Sequence, residues 1–393
     1  MWRLFICTEI YNFSSLSQRL DVELVDSKKL LYCASTTGHL KNFHLPYIQA
    51  LHEAGYQVVV CADKQEPIAE ADYFFCVPFQ KSITSLENVK NIFRLYRFLR
   101  KEQFTAIGVH TTLAAAVVRA AVRLLPQKQR PKVFYTCHGY LFDDADGWRK
   151  WKYLLPEKIC AAVTDVLLVM NQRDRQLAEQ YQLFRGNLVS IPGMGVDFSR
   201  FDLPQTKQEL RQQYGISVET VLFVFAGEFS ARKNQQQLIN AFAKVARQMP
   251  SAKLVLAGEG AMWDICKEQA RQLQVEDRVL FLGQVKNMAV LYHCCDVCVS
   301  ASRIEGLPFN IMEAMYCGLP CIASRVKGHK DLLQHNQNGM LFETEQQLAG
   351  LMVQLYRSEK LRQQLGQQAK KDVEQYGLEK VFPVVMQVYE ENV

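Results

Sequence analysis

Two glutamates bracketing seven residues, Glu305 and Glu313, frame the most chemically informative segment of this chain: Ser302-Arg-Ile-Glu305-Gly-Leu-Pro-Phe-Asn-Ile-Met-Glu313-Ala-Met-Tyr-Cys-Gly318-Leu-Pro320. Pro308 is placed for the first turn of a helix, where its missing N–H costs nothing. Gly318 followed by Pro320 marks the stop. A helix beginning there offers the free N–H groups of Gly306, Leu307 and Phe309 to an anion, with the positive end of the helix dipole behind them. Glu305 falls in the loop ahead of that anion site and Glu313 near the middle of the short helix. A diphosphate at the helix end, with a carboxylate for each flanking hydroxyl-bearing group, is a sensible way to hold a sugar nucleotide. The plainer reading is a capping carboxylate and a solvated helix glutamate. Upstream, Arg232 and Lys233 stand at another helix start in Gly227-Glu-Phe-Ser-Ala-Arg-Lys-Asn234. Cations there oppose the dipole, so an anion is wanted nearby. His138 follows an apolar strand and precedes Gly139, either as a ligand contact in a cleft or as an ordinary loop histidine.

The elements that must position these residues alternate strand and helix almost throughout. Apolar runs at Lys29–Ala34, Tyr56–Ala62, Tyr73–Val77, Thr105–Val109, Lys132–Thr136, Asp165–Val169 and Asn187–Ser190 read as strands, with helical spacing between them. Ile191-Pro-Gly-Met-Gly-Val-Asp197 is turn-rich, the polar stretch Pro204–Tyr214 follows it, and the alternation restarts at Thr220–Ala226. The pattern predicts an α/β fold with two doubly wound parallel sheets, helices on both faces and a cleft between them. Ligands in such sheets sit at the carboxyl ends of strands. The predicted organisation is a poorly patterned extension over 1–27, a first domain over 28–200, a second over 201–375, and a C-terminal helix over 376–393 that can cross back to the first domain.

At 393 residues, 49% hydrophobic and 22% charged, the chain can bury a core in each half. Residues 1–200 carry 25 Lys and Arg against 19 Asp and Glu, so the formal charge of +6 lies wholly in the first half. That half is the one to meet an anionic partner. Apolar stretches are cut by Arg119 and Arg123 well short of the roughly 18 residues a membrane span needs. Met1–Cys7 lacks a cleavage-type site, so no signal peptide is expected. The 12 cysteines are scattered through apolar runs and read as free buried thiols. Cys295-x-x-Cys298 beside His293 lacks a second ligand pair, and Asp144-Ala-Asp146 does not end a strand, so no metal is expected. Gly258-x-Gly260 lacks the third glycine of a nicotinamide fingerprint, Trp263 standing in its place, which argues against a dehydrogenase.

Taken together, the Glu305-to-Glu313 string resembles the E-x7-E signature of the retaining family-4 glycosyltransferases of GT-B fold. The resemblance extends to Leu254-Val-Leu-Ala-Gly-Glu-Gly260, Asp277 to Val285, Asp296 to Ser300, the hinge Ile191 to Asp197, and Thr136-Cys-His-Gly139. It implies two Rossmann-like domains, acceptor on the first and nucleotide sugar on the second, with retention and no metal. It implies that Glu305 meets the donor sugar and Glu313 the ribose, that backbone near Val285 holds the base, and that Arg232 and Lys233 meet the β-phosphate, with His138 in the cleft. Gly38, in the turn after the first strand, would let backbone approach the donor phosphate. Gly227-Glu228 departs from the Gly-Arg of many members. Together with Gly38-His-Leu-Lys-Asn-Phe-His44 and Val326-Lys-Gly-His-Lys-Asp331 it is similar to the subgroup of bacterial exopolysaccharide and capsule clusters. The donor implied is a UDP- or GDP-sugar. A sugar-nucleotide 2-epimerase of the same fold and a non-catalytic scaffold of the assembly machinery are the alternatives.

Two stretches combine cations with aromatic rings. Lys90–Lys101 carries Arg94, Arg97, Arg100 and Lys101 among large apolar residues, and Trp148-Arg-Lys-Trp151 opens the second. Such helices suit an anionic membrane interface; the plainer reading of either one alone is a core-facing apolar stripe with a solvated basic face. Large rings clustered with leucines suit lipid better than nucleic acid. The expectation is a cytoplasmic protein, peripheral on the inner face of the membrane, with a lipid-linked glycan acceptor.

Overall fold

The computed structural model describes residues 28–392 apart from 81, 83–84 and 144–146. The extension over 1–27 and the triplet Asp144-Ala-Asp146 lie outside the described residues.

The first unit runs β1 (Lys29–Cys33), α1 (Thr37–Phe43), α2 (Leu45–Glu53), β2 (Gln57–Ala62), β3 (Tyr73–Cys76), α3 (Leu86–Glu102), β4 (Ala106–His110), α4 (Thr112–Leu124), β5 (Lys132–Cys137), α5 (Gly147–Ala161), β6 (Val166–Val169), α6 (Gln172–Tyr181) and β7 (Asn187–Ser190). The second runs α7 (Lys207–Gln213), β8 (Val221–Ala226), α8 (Gln235–Val245), β9 (Ala252–Ala257), α9 (Trp263–Gln272), β10 (Val279–Gly283), α10 (Met288–Cys294), β11 (Val297–Ser300), α11 (Phe309–Tyr316), β12 (Cys321–Ser324), α12 (Lys327–Leu332), β13 (Gly339–Phe342), α13 (Glu345–Arg357), α14 (Glu359–Val373) and α15 (Leu378–Asn392).

Every pairing is parallel. The seven-stranded sheet has the order β3-β2-β1-β4-β5-β6-β7 and the six-stranded one β10-β9-β8-β11-β12-β13. Parallel strands are covered on both faces, which is why they read as unbroken apolar runs. Leu30 and Tyr32 of β1 point into the cluster with α1, α2 and α15, while Leu31 and Cys33 point into the cluster with α3, α4 and α5. In both sheets the strand order reverses at the centre, between β1 and β4 and between β8 and β11. That reversal opens a crevice at the carboxyl ends of those strands. The loops after β5, β8 and β11 carry His138, the Arg232-Lys233 pair and Glu305.

One apolar cluster is continuous from the first sheet through Met194, Leu307 and Ile311 to the second. The chain crosses between the sheets twice, at Pro192–Val196 and at Tyr376–Leu378. The crossings are tied to each other by Val196 N to Tyr376 O at 2.9 Å and Leu378 N to Val196 O at 2.9 Å. Helix α15 then packs on the first sheet: Tyr389 stacks on Phe134 at 4.6 Å and Phe382 meets Tyr47 at 5.3 Å.

Local chemistry moves several sequence expectations. Thr36 caps α1 by accepting from His39 N, so Gly38 falls in the first helical turn rather than in a turn before it. Pro308 is the residue preceding α11, with extended backbone, and Phe309 opens the helix. The polar stretch after 204 contains α7, made by a capping box between Thr206 and Glu209.

Candidate active site

Glu305 sits in the loop between β11 and α11 and is 7% exposed. Lys233 Nζ donates to its Oε1 at 2.7 Å and Arg232 Nη1 to its Oε2 at 3.1 Å. Arg232 Nη1 also donates to Ile304 O at 3.0 Å, and Arg303 N to Arg232 O at 2.8 Å. The two loops are thus knitted together. Burial alone would raise the Glu305 carboxyl, but Lys233 and Arg232 outweigh it and hold it at about 2. Separate ligand contacts were expected for these three residues; the structure has them paired with one another, two cations around one carboxylate.

Helix α11 begins beside this group. Its start receives no side-chain cap, so its first N–H groups are open to an anion. Asn310 Nδ2 donates to Ala226 O at 2.9 Å, anchoring the helix start to the end of β8. Leu307 is buried against Gly193, while Glu313 lies one turn into the helix, half-buried beside Tyr292. Burial pushes the Glu313 carboxyl up to about 7, against the Tyr292 hydroxyl that donates to it at 3.2 Å. His329, on α12, is fully buried, lies 3.3 Å from Ser300 Oγ, and is lowered to about 4 by burial.

The first sheet meets this loop directly. Gly306 lies so close to His138 that an added Cβ would stand 2.1 Å from the His138 carbonyl oxygen, and its other side faces Gly328. Glycine is required there by the approach of two backbones. Gly139, at φ +114°, faces Gly306 Cα in return. Asn171 Nδ2 donates to Gly306 O at 3.4 Å. Lys327 Nζ donates to Asp174 Oδ1 at 2.8 Å and to Tyr140 O at 3.0 Å. Phe43 of α1 packs on Phe309 of α11 at 4.0 Å. The E-x7-E loop therefore meets the Arg232-Lys233 pair through Glu305 and the backbone of His138 through Gly306.

Other predicted residues lie elsewhere. Val285, after β10, lines a cavity of about 580 Å³ with Leu222, Val255, Leu280 and Leu282, on the sheet face away from α8 and α9. That cavity is apolar and contains none of the charged residues above. Gly38 is exposed on α1 with open space around it.

A group the sequence reasoning passed over adjoins His138. His39 and His44 on α1 and its cap, and His110 at the end of β4, surround it. Ring centroids are 4.9 Å apart for His39 and His44, 5.1 Å for His39 and His138, and 4.2 Å for His44 and His110. Burial lowers all four, His39 to about 4. The available signal was the five-residue interval in Gly38-His-Leu-Lys-Asn-Phe-His44, which puts both imidazoles near one helix end.

Two family models match the chain: Glycosyltransferase Family 4 over residues 47–200 and Glycosyl transferases group 1 over residues 206–372. EpsD of Bacillus subtilis (strain 168), named as a glycosyltransferase, is 32% identical over 350 residues, covering 88% of this chain and 92% of that one. The chain belongs to the family-4 glycosyltransferases. The UDP-Gal:alpha-D-GlcNAc-diphosphoundecaprenol alpha-1,3-galactosyltransferase of Escherichia coli is 26% identical over 69% of this chain and 70% of its own. HepE of Anabaena, solved with UDP and glucose, superposes with a TM-score of 0.74 at 19% identity, covering 93% of this chain and all of that one. The architecture of this glycosyltransferase is the GT-B fold.

The outer helices of the glycosyltransferase's first domain present an unusual face. Helix α3 buries Asn88, Asn91, Leu95 and Leu99 and exposes Leu86 (79%), Val89 and Phe93 beside Arg94, Arg97, Arg100 and Lys101. Arg94 stacks over Phe75 at 5.2 Å. On α5, Trp148 (83% exposed), Trp151, Leu155 and Ile159 face outward with Arg149 and Lys152. No helix among the described residues is long and apolar enough to cross a membrane.

Proposed function

We propose that this glycosyltransferase moves a hexosyl or N-acetylhexosaminyl group from a nucleoside diphosphate sugar, a UDP-sugar, to a lipid-linked glycan acceptor, with retention, in exopolysaccharide or capsule synthesis. The observation that carries the reading is the grouping of Arg232, Lys233 and the uncapped start of α11 around Glu305, opposite His138. Two cations and a row of N–H groups are what a departing diphosphate requires, because its negative charge grows as the bond to the sugar breaks. The C1–O bond to the β-phosphate breaks, the acceptor hydroxyl bonds to C1 from the same face, and its proton passes to the departing phosphate oxygen. Glu305, already shared by two cations, stays ionised and accepts hydrogen bonds from donor-sugar hydroxyls. Glu313 is reserved for the ribose.

The acceptor is inferred from two sources. The Escherichia coli relative acts, by its name, on a diphosphoundecaprenol-linked sugar. The exposed apolar and cationic residues of α3 and α5 match the boundary of an anionic bilayer, where aromatic rings favour the headgroup level. Both observations support the reading that the enzyme works at the inner face of the cell membrane as a peripheral protein.

The test is a donor screen that measures UDP or GDP release with and without polyprenyl-diphosphate-linked sugars. Release that depends on acceptor supports transfer. Conversion of donor alone to its epimer would establish the 2-epimerase instead, and inertness toward every nucleotide sugar would leave a scaffold.

A further inference from the structure

Five buried imidazole nitrogens in the first domain have no partner: Nε2 of His39, His44 and His138, and both ring nitrogens of His110. A buried polar atom left unpaired costs on the order of 1–3 kcal/mol, and three of these five imidazole nitrogens belong to rings grouped closely enough for one ligand to satisfy them together. One ring nitrogen each from His39, His44 and His138 lies within 4.8 Å of the other two. Among the described residues no Asp, Glu or Cys joins the group, which makes it a nitrogen donor set. Such sets favour zinc and its neighbours over magnesium or calcium, which take oxygen ligands.

We propose that His39, His44 and His138 bind a single transition-metal ion, Zn²⁺, in the cleft wall of the first domain. A Zn–N bond of about 2.0–2.1 Å at a tetrahedral angle sets ligand nitrogens roughly 3.4 Å apart. Rotation of the rings by an ångström or so closes the site. His44 is already held for this role: its Nδ1 is 2.9 Å from the Tyr32 hydroxyl, leaving Nε2 to face the group. A hydrogen bond at the far nitrogen is how a histidine ligand is fixed in tautomer and direction. Behind it, His110 packs at a tilt against His44 at 4.2 Å and stacks on Tyr32 at 4.7 Å, backing the His44 ring. His39 and His138 retain some exposure, whereas His44 and His110 have none. The fourth position of the ion therefore opens toward the crevice and takes an oxygen ligand. Three neutral imidazoles leave the ion's charge uncompensated, so that oxygen is anionic or readily made so. The absence of a metal expected from sequence rested on the family resemblance, on Asp144-Ala-Asp146 and on the Cys295 region, and the two segments contain none of these imidazoles.

The site is tested on the full-length protein after chelator treatment and dialysis, by titration with ZnCl₂ in a calorimeter and with CoCl₂ under visible absorption. The wild-type protein is expected to take up one Zn²⁺ per chain at this site and to develop the intense visible bands of four-coordinate Co²⁺. The His39→Ala/His138→Ala double variant should lose that one equivalent and those bands. Tyr32→Phe, which keeps all three ligands, should weaken binding roughly ten-fold or more. Circular dichroism checks that each variant is folded. Absence of the Co²⁺ bands in the wild type, or undiminished uptake by the double variant, would overturn the proposal and assign the orphan nitrogens to water. Because the readout is metal uptake, the result is independent of whether glycosyl transfer is found.

Discussion

Lys233 and Glu305 come from different loops, 72 positions apart in sequence, and meet at 2.7 Å at the mouth of α11. The pair is partly buried, the lysine at 12% side-chain exposure and the glutamate at 7%. Removing the lysine deletes a cation and leaves the carboxylate with Arg232 alone. For Lys233→Ala, kcat is expected to fall by roughly 10²–10³, or about 3–4 kcal/mol of transition-state stabilisation. Steady-state nucleotide release measures it. Near-wild-type turnover would remove Lys233 from the leaving-group site.

Glu313 makes the enzyme sensitive to pH. Its carboxyl has a reference value of 4.5 and is pushed by burial to about 7 in the folded chain. Between those values the folded chain holds the proton and the unfolded chain has lost it. Stability from this group is therefore complete below 4.5 and declines as pH rises through 7, by roughly 3 kcal/mol in all. Glu313→Gln should flatten that decline, so its stability relative to wild type should be higher at pH 8 than at pH 5. Urea unfolding at the two pH values reads this directly, and an equal difference at both would show that Glu313 does not titrate as described.

The same carboxyl has an opposite effect on donor binding. Ribose hydroxyls donate best to an ionised carboxylate. Donor affinity should therefore rise between pH 6 and 8 in the wild type and lose that rise in Glu313→Gln. Calorimetric titration with UDP is the check, and an unchanged slope in the variant argues against the ribose assignment.

Lys327 is buried between the two domains with Asp174, and Asp143 lies 3.8 Å away. Breaking a buried pair by removing one partner costs roughly 3–5 kcal/mol, since the other charge stays behind unpaired. In Lys327→Met the contact across the crevice should loosen. The radius of gyration from small-angle scattering should increase, and saturating nucleotide sugar should reduce it again as the crevice closes on ligand. A radius equal to wild type in the free state would mean that the pair does not govern the separation of the domains.

The cations of α3 predict a salt-sensitive association with lipid. Each Lys or Arg near an anionic surface contributes about 1 kcal/mol before screening. Co-sedimentation with liposomes should increase with anionic lipid, fall with salt, and drop sharply when Arg94, Arg97 and Arg100 become Glu. Indifference of the wild type to anionic liposomes at low salt would turn the acceptor question toward soluble glycans.

Where the sequence was legible, the physics was local. Buried parallel strands cannot alternate polar and apolar, so runs such as Val58–Ala62 and Val221–Ala226 declare themselves. The glycine at 318 ends α11 because φ +77° suits no other residue as well. What stayed hidden depended on distant partners. β13 has only four residues, Gly339–Phe342, and exists because β12 pairs with it. The α7 helix hides in a polar stretch because its signal is a capping pair, not an apolar stripe. The ion pairing of Glu305 with Arg232 and Lys233 joins loops after β8 and β11, which only the sheet order brings together. The histidine group is the same case: three strand or helix ends, separated by up to 99 positions between His39 and His138, converge only once the first sheet is assembled.

The two tied crossings at Val196 and Gly377, followed by α15 on the first sheet, make the second domain an insertion within the first. Tyr389 fills a place on the first sheet against Phe134 and Gly108. During synthesis the second domain therefore emerges whole while the first waits, its inner face incomplete. The domain begun first is completed after the second, and the aromatic side chains of α15 close it only once the whole of the second domain has been made between its two parts.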